Sequence, residues 1–576
     1  MKKKQIKGYQ EKNEVKRHFE KRLIFFQWMS NFFFFILLVH LFNLQVIDPK
    51  HYEERGNLIR KTENLNMRGD ILDSNGFKLA TDQTVYEIYA HPKDYVENRP
   101  TNALAEILAP YMTINKKDLE TELNKKENTT ITLRRNVDKQ TADAVKQLGL
   151  REISVRAKHK RIYPQGSMAA HILGYYSSES EHSTGIENIA SNKLQKTGKQ
   201  ASFQKTRFGD IIYEKELEPE NTVKTPKGEN ITLTIDSAIQ HICEVELEKT
   251  IKEKKAERGS IIVMNPRNGE ILSYASYPTF NPNEFYKYPQ INMKNWSLTD
   301  IYPPGSTFKA ITVAAAMDLG KINEKSLIED TGKMKIGSWP IENYDYAKNP
   351  NPGKISLEYL FEHSSNIGSA KIAMMMKPTE FYDILKNFGF GQKTGIDLPA
   401  ESAGILPKPL RWDIARHASM GYGYGASVTA LQMISAISVL ANDGIFVTPH
   451  VIKYNQEEYS QKIQTGQVIN PETARTVTKI LAKSIANGKT PLNFEHYSVA
   501  AKTGTSRKTR EKAKGYSKNV YTSAVGYFPA SNPQIAIYVV IDSPKTGADW
   551  GNTVASPVFR EVALHVARIK NIQFDK

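Results

Sequence analysis

Apolar and polar positions divide this chain into three regimes. Leu23 to Val46 runs for 24 residues without an Asp, Glu, Lys or Arg and is dense in Phe, Leu and Ile, against roughly 20 residues needed to cross a bilayer. Residues 1–22 before it carry nine Lys/Arg and three Glu. The basic flank predicts a cytoplasmic N-terminus with the remainder extracytoplasmic. The stretch runs into Leu44-Gln45-Val46-Ile47-Asp48 with no small-residue cleavage site, which favours an uncleaved anchor over a signal peptide. From residue 47 to about 228 the pattern is polar and mixed. Val85-Tyr86-Glu87-Ile88-Tyr89 alternates like a strand, Thr141–Leu148 reads as a helix, and Asn75-Gly76 marks a tight turn. After Pro226-Lys227-Gly228 the texture changes. Asn230–Ile235 reads as a strand and a helix follows to about Lys255. Gly259–Asn265 and Glu270–Ser276, joined by Pro266-Arg267-Asn268-Gly269, form a hairpin pattern. Helical stretches come next, then strands at Ser498–Lys502, Ser523–Phe528 and Gln534–Ile541.

This order predicts an α+β protein in four parts: a cytoplasmic basic tail (1–22), a single N-terminal transmembrane helix (23–46), an elongated α+β pedestal (47–228), and a domain over 229–576 built as an antiparallel sheet flanked by helices. At 576 residues the chain is too long for one ordinary domain, and no repeat of 20–50 residues is visible.

Composition narrows the chemistry. The net charge of 78 − 62 = +16 favours an anionic surface or substrate. With no zinc-finger spacing, recognition module or dominant basic helix, nucleic acid is not an expected partner. The single cysteine, Cys243, excludes an intrachain disulfide and a cysteine-based metal site. It lies among apolar residues at helical spacing and reads as a small core residue. The 13 histidines show no metal-ligand clustering, so no metal is expected.

The chemistry centres on Tyr302-Pro303-Pro304-Gly305-Ser306-Thr307-Phe308-Lys309. Prolines and a glycine halt the chain, and the apolar run Ala310–Leu319 follows, ending at Gly320. Ser306 is thus expected in the first turn of a helix, with Lys309 one turn on and within side-chain reach. A serine hydroxyl is a poor nucleophile until a base takes its proton, and a neutral lysine can be that base. The helix N-terminus adds N–H donors for developing negative charge. Ser306 is therefore a candidate acylation site. A second Ser-x-x-Lys, Ser202 to Lys205, has no such setting.

Two further segments converge on this chemistry. Leu360-Phe361-Glu362-His363-Ser364-Ser365-Asn366 places a hydroxyl and a carboxamide two residues apart between apolar segments. Ser364 is a candidate proton relay, and Asn366 a candidate to orient the lysine and bind a substrate amide. The bland alternative is a helix N-cap. In Val499-Ala500-Ala501-Lys502-Thr503-Gly504-Thr505-Ser506, small residues surround a lysine on a strand. Thr503 and Thr505 share a face and suit a carboxylate. Gly504 lets another backbone approach, so a peptide can dock as an added strand. Beside Lys309, the Lys502 cation would depress the pKa of that base. Lys393-Thr394-Gly395 repeats the tripeptide in a turn-like setting. Ser517 to Asn519 repeats Ser-x-Asn at the end of the basic stretch Ser506–Lys518, which reads as a loop. Gly421-Tyr422-Gly423-Tyr424-Gly425 lacks the strand and spacing of a nucleotide loop.

Ser-x-x-Lys, Ser-x-Asn and Lys-Thr-Gly, in that order, resemble the three motifs of penicillin-recognising serine acyltransferases. Over essentially its whole length the chain resembles a class B penicillin-binding protein. Arg68-Gly69-x-Ile71-x-Asp73-x-Asn75-Gly76, Arg161-x-Tyr163-Pro164-x-Gly166, Ala170-His171-x-x-Gly174-Tyr175 and Gly185-Ile186-Glu187 resemble the family's N-terminal motifs. Ser74 stands where the family usually has arginine, which would weaken a pedestal ion pair. Ala501 stands where glycine usually precedes the lysine. Gly389–Gly391 to Leu398-Pro399, Gly425–Gln432 and Lys502–Thr505 look most like the division-type, FtsI-like members.

The resemblance implies a D,D-transpeptidase that cross-links peptidoglycan stem peptides at the septum and binds β-lactams covalently. Ser306, Lys309, Ser364 and Lys502 would be catalytic. Asn366, Thr503, Gly504 and Thr505 would bind substrate. No metal or cofactor is implied. The implied partners are the membrane, an FtsW-like septal glycan polymerase and other division proteins. An elongation-type transpeptidase, a membrane-anchored β-lactamase or β-lactam sensor, and a non-enzymatic division scaffold are the alternatives.

Overall fold

A computed structural model describes residues 2–43, 67–195, 204–205, 211–212 and 227–576, apart from 97, 126, 179, 181, 338, 510–514 and 548. The chain separates into two compact units, Met1–Leu65 with Thr197–Thr225, and Asn66–Lys196 with Pro226–Lys576. In the first, helix α1 (Lys2–Phe42) continues without a break from the basic tail into the apolar segment. Its 22-residue stretch Lys21–Phe42 is apolar enough to cross a membrane, and at 1.5 Å per residue it spans about 33 Å. The final residues of the expected span, 44–46, lie outside the described residues, as does Ser202.

The second unit holds two five-stranded sheets and several two-stranded ones. In the first sheet, β2 (Lys78–Ala90) pairs antiparallel with β1 (Ile71–Leu72), β3 (Ile131–Val137) and β4 (Ile153–Ile162). The alternation read at Val85–Tyr89 is thus part of a longer strand. Ile88 and Ala90 face a small core with Leu104, Leu108, Leu119, Leu123 and Val145 from three short helices. Asp138 caps the helix predicted at Thr141–Leu148, which starts at Lys139.

The second sheet comprises β6 (Arg258–Met264), β7 (Ile271–Tyr277), β8 (Ala500–Thr509), β9 (Tyr516–Phe528) and β10 (Ile535–Asp542). All its pairs are antiparallel, in the order β7-β6-β10-β9-β8. Helices cover both faces, which explains why β10 is apolar at nearly every position. Ile535, Ile537, Val539 and Ile541 enter a core shared with α2 (Ser237–Lys254) and the C-terminal helix. Ala536, Tyr538 and Val540 enter the main core with Val313, Ile434 and Val477. Cys243 is buried on the α2 side.

The structure corrects two readings. The strand expected over Asn230–Ile235 is only β5 (Ile231–Thr232), and it pairs parallel with β1 in the first sheet. Leu233 instead bridges Ile452, and Asp236 is already the N-cap of α2. Ser506–Lys518 is not a loop throughout. β8 runs to Thr509 and β9 begins at Tyr516, so Ser517–Asn519 lies on a strand. These ends carry charged residues and lack apolar alternation, although their backbones remain paired.

The N-terminal motif residues meet in a buried ion network. The fully buried Glu187 accepts from Arg68 Nε (3.1 Å) and Nη2 (2.8 Å) and from Arg161 Nε (2.5 Å). Arg161 Nη1 also reaches Asp82 (3.0 Å) and the Gly69 carbonyl (2.9 Å). Ser74 has no place in this network: its N–H donates to the Ile235 carbonyl. Both Glu187 oxygens are paired without a cation at position 74, while Arg68 Nη1 and Arg161 Nη2 are buried with no hydrogen-bond partner. Glu187→Gln would leave two buried guanidiniums without their shared anion, and is expected to destabilise this region by about 3–5 kcal/mol. Urea unfolding checks this, and an unchanged midpoint would contradict it.

Candidate active site

Pro303 and Pro304 lead into a 3₁₀ turn, Gly305–Phe308, that continues as helix α3 (Lys309–Asp318). In 3₁₀ geometry side chains at i and i+3 eclipse, so the Ser-x-x-Lys spacing aligns Ser306 with Lys309. Gly305 has φ +59° and its N–H donates to the Gly423 carbonyl at 3.1 Å. A Cβ on Gly423 would lie 2.2 Å from the Gly305 oxygen. The Gly421–Gly425 run therefore serves to pack against this turn.

Lys309 is fully buried, and Nζ donates to the Ser364 carbonyl (2.5 Å) and Asn366 Oδ1 (2.8 Å), with Ser364 Oγ at 3.2 Å. None of these three bonds goes to Ser306. The lysine is held by the Ser-x-Asn turn, behind the cleft rather than at its surface.

That turn has unusual backbone geometry. Ser364 has φ +49°, a left-handed conformation that costs a non-glycine residue about 1–2 kcal/mol. Ser365, not Ser364, is the N-cap of helix α4 (Asn366–Met375), accepting from Gly368 N–H at 2.8 Å. The N-cap reading thus applies to Ser365, beside Ser364, whose Oγ lies at Lys309 Nζ. Asn366 N–H donates to Asn343 Oδ1 (2.8 Å), and its Nδ2 to the Glu342 carbonyl (2.8 Å).

β8 is an edge strand of its sheet, so its outer backbone groups are available to an extended peptide. Lys502 is buried, with Nζ donating to the Thr503 carbonyl at 3.1 Å. Thr505 Oγ1 accepts from Gly551 N–H at 3.0 Å. Gly504 also has a packing role that the sequence did not show. A Cβ there would meet Ser523 Oγ at 2.7 Å and Thr307 Cγ2 at 2.9 Å. Its bareness lets the 3₁₀ turn close on the strand. Ala501 fits because Gly526 stands opposite it in register, where an added Cβ would lie 2.4 Å from the alanine methyl.

Electrostatics favour a neutral Lys309. Burial is the main cause and the Lys502 cation the second, together holding its pKa well below that of a free lysine. The Asp330 and Asp345 carboxylates oppose the shift. The sequence argument had named only Lys502. Burial also lowers Lys502 itself, to about 8.

Ser306, Ser364, Asn366, Lys502, Thr503, Gly504 and Thr505 line one cleft of about 890 Å³. Tyr344, Tyr424 and Trp550 add aromatic walls, and the Tyr344 and Trp550 rings lie 6.2 Å apart. The second tripeptide is elsewhere: Thr394 N–H and Oγ1 both donate to Glu401 at 2.6 Å, and Lys393 is exposed.

Residues 259–564, more than half the chain, match the penicillin binding protein transpeptidase domain, and residues 64–229 match the penicillin-binding protein dimerisation domain. The chain belongs to the class B penicillin-binding proteins. It is 29% identical to peptidoglycan D,D-transpeptidase FtsI of Escherichia coli (strain K12) over 92% of this chain and 89% of that one. It is 30% identical to stage V sporulation protein D of Bacillus subtilis (strain 168), over 85% and 76%. The crystal structure of a peptidoglycan synthetase from Bifidobacterium adolescentis superimposes with a TM-score of 0.65 at 22% identity, over 88% of this chain and 96% of that one, which establishes likeness of fold.

In this penicillin-binding protein, sequence reasoning missed Asp330, Asn343 and Tyr424. Tyr424 OH accepts from Arg507 N–H at 3.0 Å, tying the glycine-rich run to β8. The alternation of tyrosine with glycine in that run was its one sequence signal.

Proposed function

We propose that this penicillin-binding protein is a serine-type peptidoglycan D,D-transpeptidase acting in septal wall synthesis. The observation that carries this reading is the setting of Lys309. A neutral amine has two N–H donors and one lone pair. The Ser364 carbonyl and Asn366 Oδ1 take the two donors. The lone pair remains for a hydroxyl proton: Ser364 Oγ lies 3.2 Å from Nζ, and Ser306 stands one turn before Lys309 at the spacing that brings side chains onto one face.

Ser306 Oγ attacks the penultimate D-Ala carbonyl of a stem peptide and its proton passes to Lys309. Backbone N–H groups of Ser306 and Thr505 receive the oxyanion. The C–N bond breaks, and Ser364, with Lys502 behind it, returns the proton to the departing D-Ala. Thr503, Thr505 and the Lys502 cation hold the terminal carboxylate. An amine of a neighbouring stem then attacks the ester, forms the cross-link and frees Ser306. A β-lactam enters the first half of the same sequence and stops there. Neither metal nor cofactor takes part.

The chain sits in the plasma membrane through α1, with its N-terminus in the cytoplasm and the cleft outside. It works beside an FtsW-like glycan polymerase and other division proteins, because it has no polymerase domain among its matched regions. Resemblance of the late motifs to division-type members favours the septum over side-wall elongation.

Labelling purified protein with a fluorescent penicillin is expected to place one adduct, on Ser306. Labelling that persists in Ser306→Ala would overturn the acyltransferase assignment.

Acylation is expected to follow a bell-shaped pH profile. The depressed Lys309 is neutral, and so competent as base, above its folded pKa, and the rate rises through that value. Lys502 loses its charge at about 8, and the rate falls above it. Lys502→Arg keeps the charge to higher pH and should abolish the falling limb at a reduced amplitude. A falling limb that stays in Lys502→Arg would assign it to another group.

Depleting the protein is expected to give filamentous or enlarged undivided cells with normal side-wall growth. Loss of shape with division intact would assign it to elongation.

A further inference from the structure

Asp330 ends a short strand, Ile328–Asp330, and lies 34 residues before Ser364, with nothing in the sequence to connect the two. In the structure its carboxylate is fully buried and sits beneath the Ser-x-Asn turn. Oδ1 accepts from Gly332 N–H (2.8 Å) and Asn343 Nδ2 (3.0 Å). Oδ2 accepts from Asn343 Nδ2 (2.8 Å) and Ser365 Oγ (2.5 Å). Among the described residues no Lys, Arg or His forms an ion pair with it. A buried carboxylate without an ion partner is unusual, because burial strongly disfavours an isolated charge.

The groups it holds explain its presence. Asn343, its amide fixed by Asp330, turns Oδ1 to the N–H groups of Asn366 (2.8 Å) and Ile367 (3.2 Å). Ser365, its hydroxyl proton directed to Asp330, is left with its oxygen lone pairs for Gly368 N–H. Ser365, Asn366 and Ile367, which directly follow Ser364, are thereby anchored. Immediately before them, Ser364 stands at φ +49° with its carbonyl aimed at Lys309 Nζ. Strained backbone of this kind persists only where its surroundings over-determine it.

We propose that Asp330 is a positioning residue for the acylation base: through Ser365 and Asn343 it fixes the turn whose Ser364 carbonyl and Asn366 side chain aim Lys309. The carboxylate also acts on the base through space. Charged groups facing Lys309 are Lys502 on β8, Asp330 and Asp345, the last within 3.5 Å of His363. Lys502 pushes the Lys309 pKa down, and the two carboxylates hold it up. Asp330 thus limits how far the base is weakened. This inference rests on the acyltransferase reading above.

The test measures penicillin acylation of wild type and Asp330→Asn across pH, separating the first-order constant at saturation from the half-saturating concentration. The substituted amide keeps the shape of the carboxylate, but it loses the charge and one of the two acceptor oxygens. A base displaced by even an ångström is expected to slow the first-order step ~10²-fold. The half-saturating concentration should stay within about twofold, because the carboxylate-binding groups lie on β8. The rising limb should move to lower pH, since removing an anion lowers the Lys309 pKa further; a role confined to stability would leave that limb in place. Should Asp330→Asn fail to fold, Ser365→Ala removes a single donor to the same carboxylate, and a smaller loss confined to the first-order constant is expected. An unchanged first-order constant, or a loss seen only in half-saturation, overturns the proposal. Wild-type protein that takes no penicillin would overturn the acyltransferase reading as well, which separates the two failures.

Discussion

The site depends on one constraint, the burial of a lysine amine with no carboxylate in contact. A fully buried ammonium loses its hydration, and carbonyl dipoles replace that only in part. Lys309 meets one backbone carbonyl, one amide oxygen and one hydroxyl, a set that suits a neutral amine better than a cation. A second cation, Lys502, strengthens the preference. The result is an amine that gives up its proton at lower pH than a free lysine does. The same burial explains why Lys309 stands behind Ser364 rather than in the cleft, where water would restore its ordinary basicity.

Holding that amine requires three segments far apart in sequence to meet within van der Waals distance, and glycines set how closely they can. Gly305 against Gly423 brings the 3₁₀ turn onto the glycine-rich run, and Gly504 brings the turn onto β8. Gly526 opposite Ala501 shows the rule from the other side, since the extra methyl is tolerated where its cross-strand neighbour has none. What looked from the sequence like adaptation of β8 to a substrate backbone is first an adaptation to the protein's own turn.

Much of the fold was legible because burial and period agree. The hairpin β6–β7 and strand β10 stand out as apolar runs, and α2 as a helical pattern with Asp236 at its cap. Legibility failed where backbone pairing continues without apolar side chains, as at the charged ends of β8 and β9. It failed again at β5, where Leu233 leaves to pair elsewhere. At the site, the residue types that do chemistry announce themselves by motif and setting. Those that hold them do not. Asp330 and Asn343 are an unremarkable acid and amide on or beside short strands, and only tertiary contact gives them meaning. The dominance of burial over Lys502 in setting Lys309 was equally out of reach, because exposure is a property of the fold.

The join between the two five-stranded sheets of the second unit bears on how the cleft is oriented. Covalently separate domains usually meet through modest polar surfaces and move relative to each other. Here β5 leaves the segment that leads into α2 and pairs parallel with β1 in the other sheet, so a hinge at this point would have to break backbone pairing. Around it the contact is too close for rearrangement. An added Cβ on Gly69 would lie 1.9 Å from the Glu229 oxygen, and one on Gly228 would lie 1.7 Å from that of Leu194. Polar ties continue outward. Asn283 both accepts from and donates to the Tyr163 backbone, at 2.9 and 2.8 Å. Glu244 of α2 accepts from Ala169 N–H at 2.8 Å, and Asp73 from Ser237 N–H at 3.2 Å. The buried network of Glu187 with two arginines fixes the near side of the same join. A seam built this way transmits orientation rather than motion. Whatever holds the first sheet therefore also sets the direction in which Ser306 and β8 face.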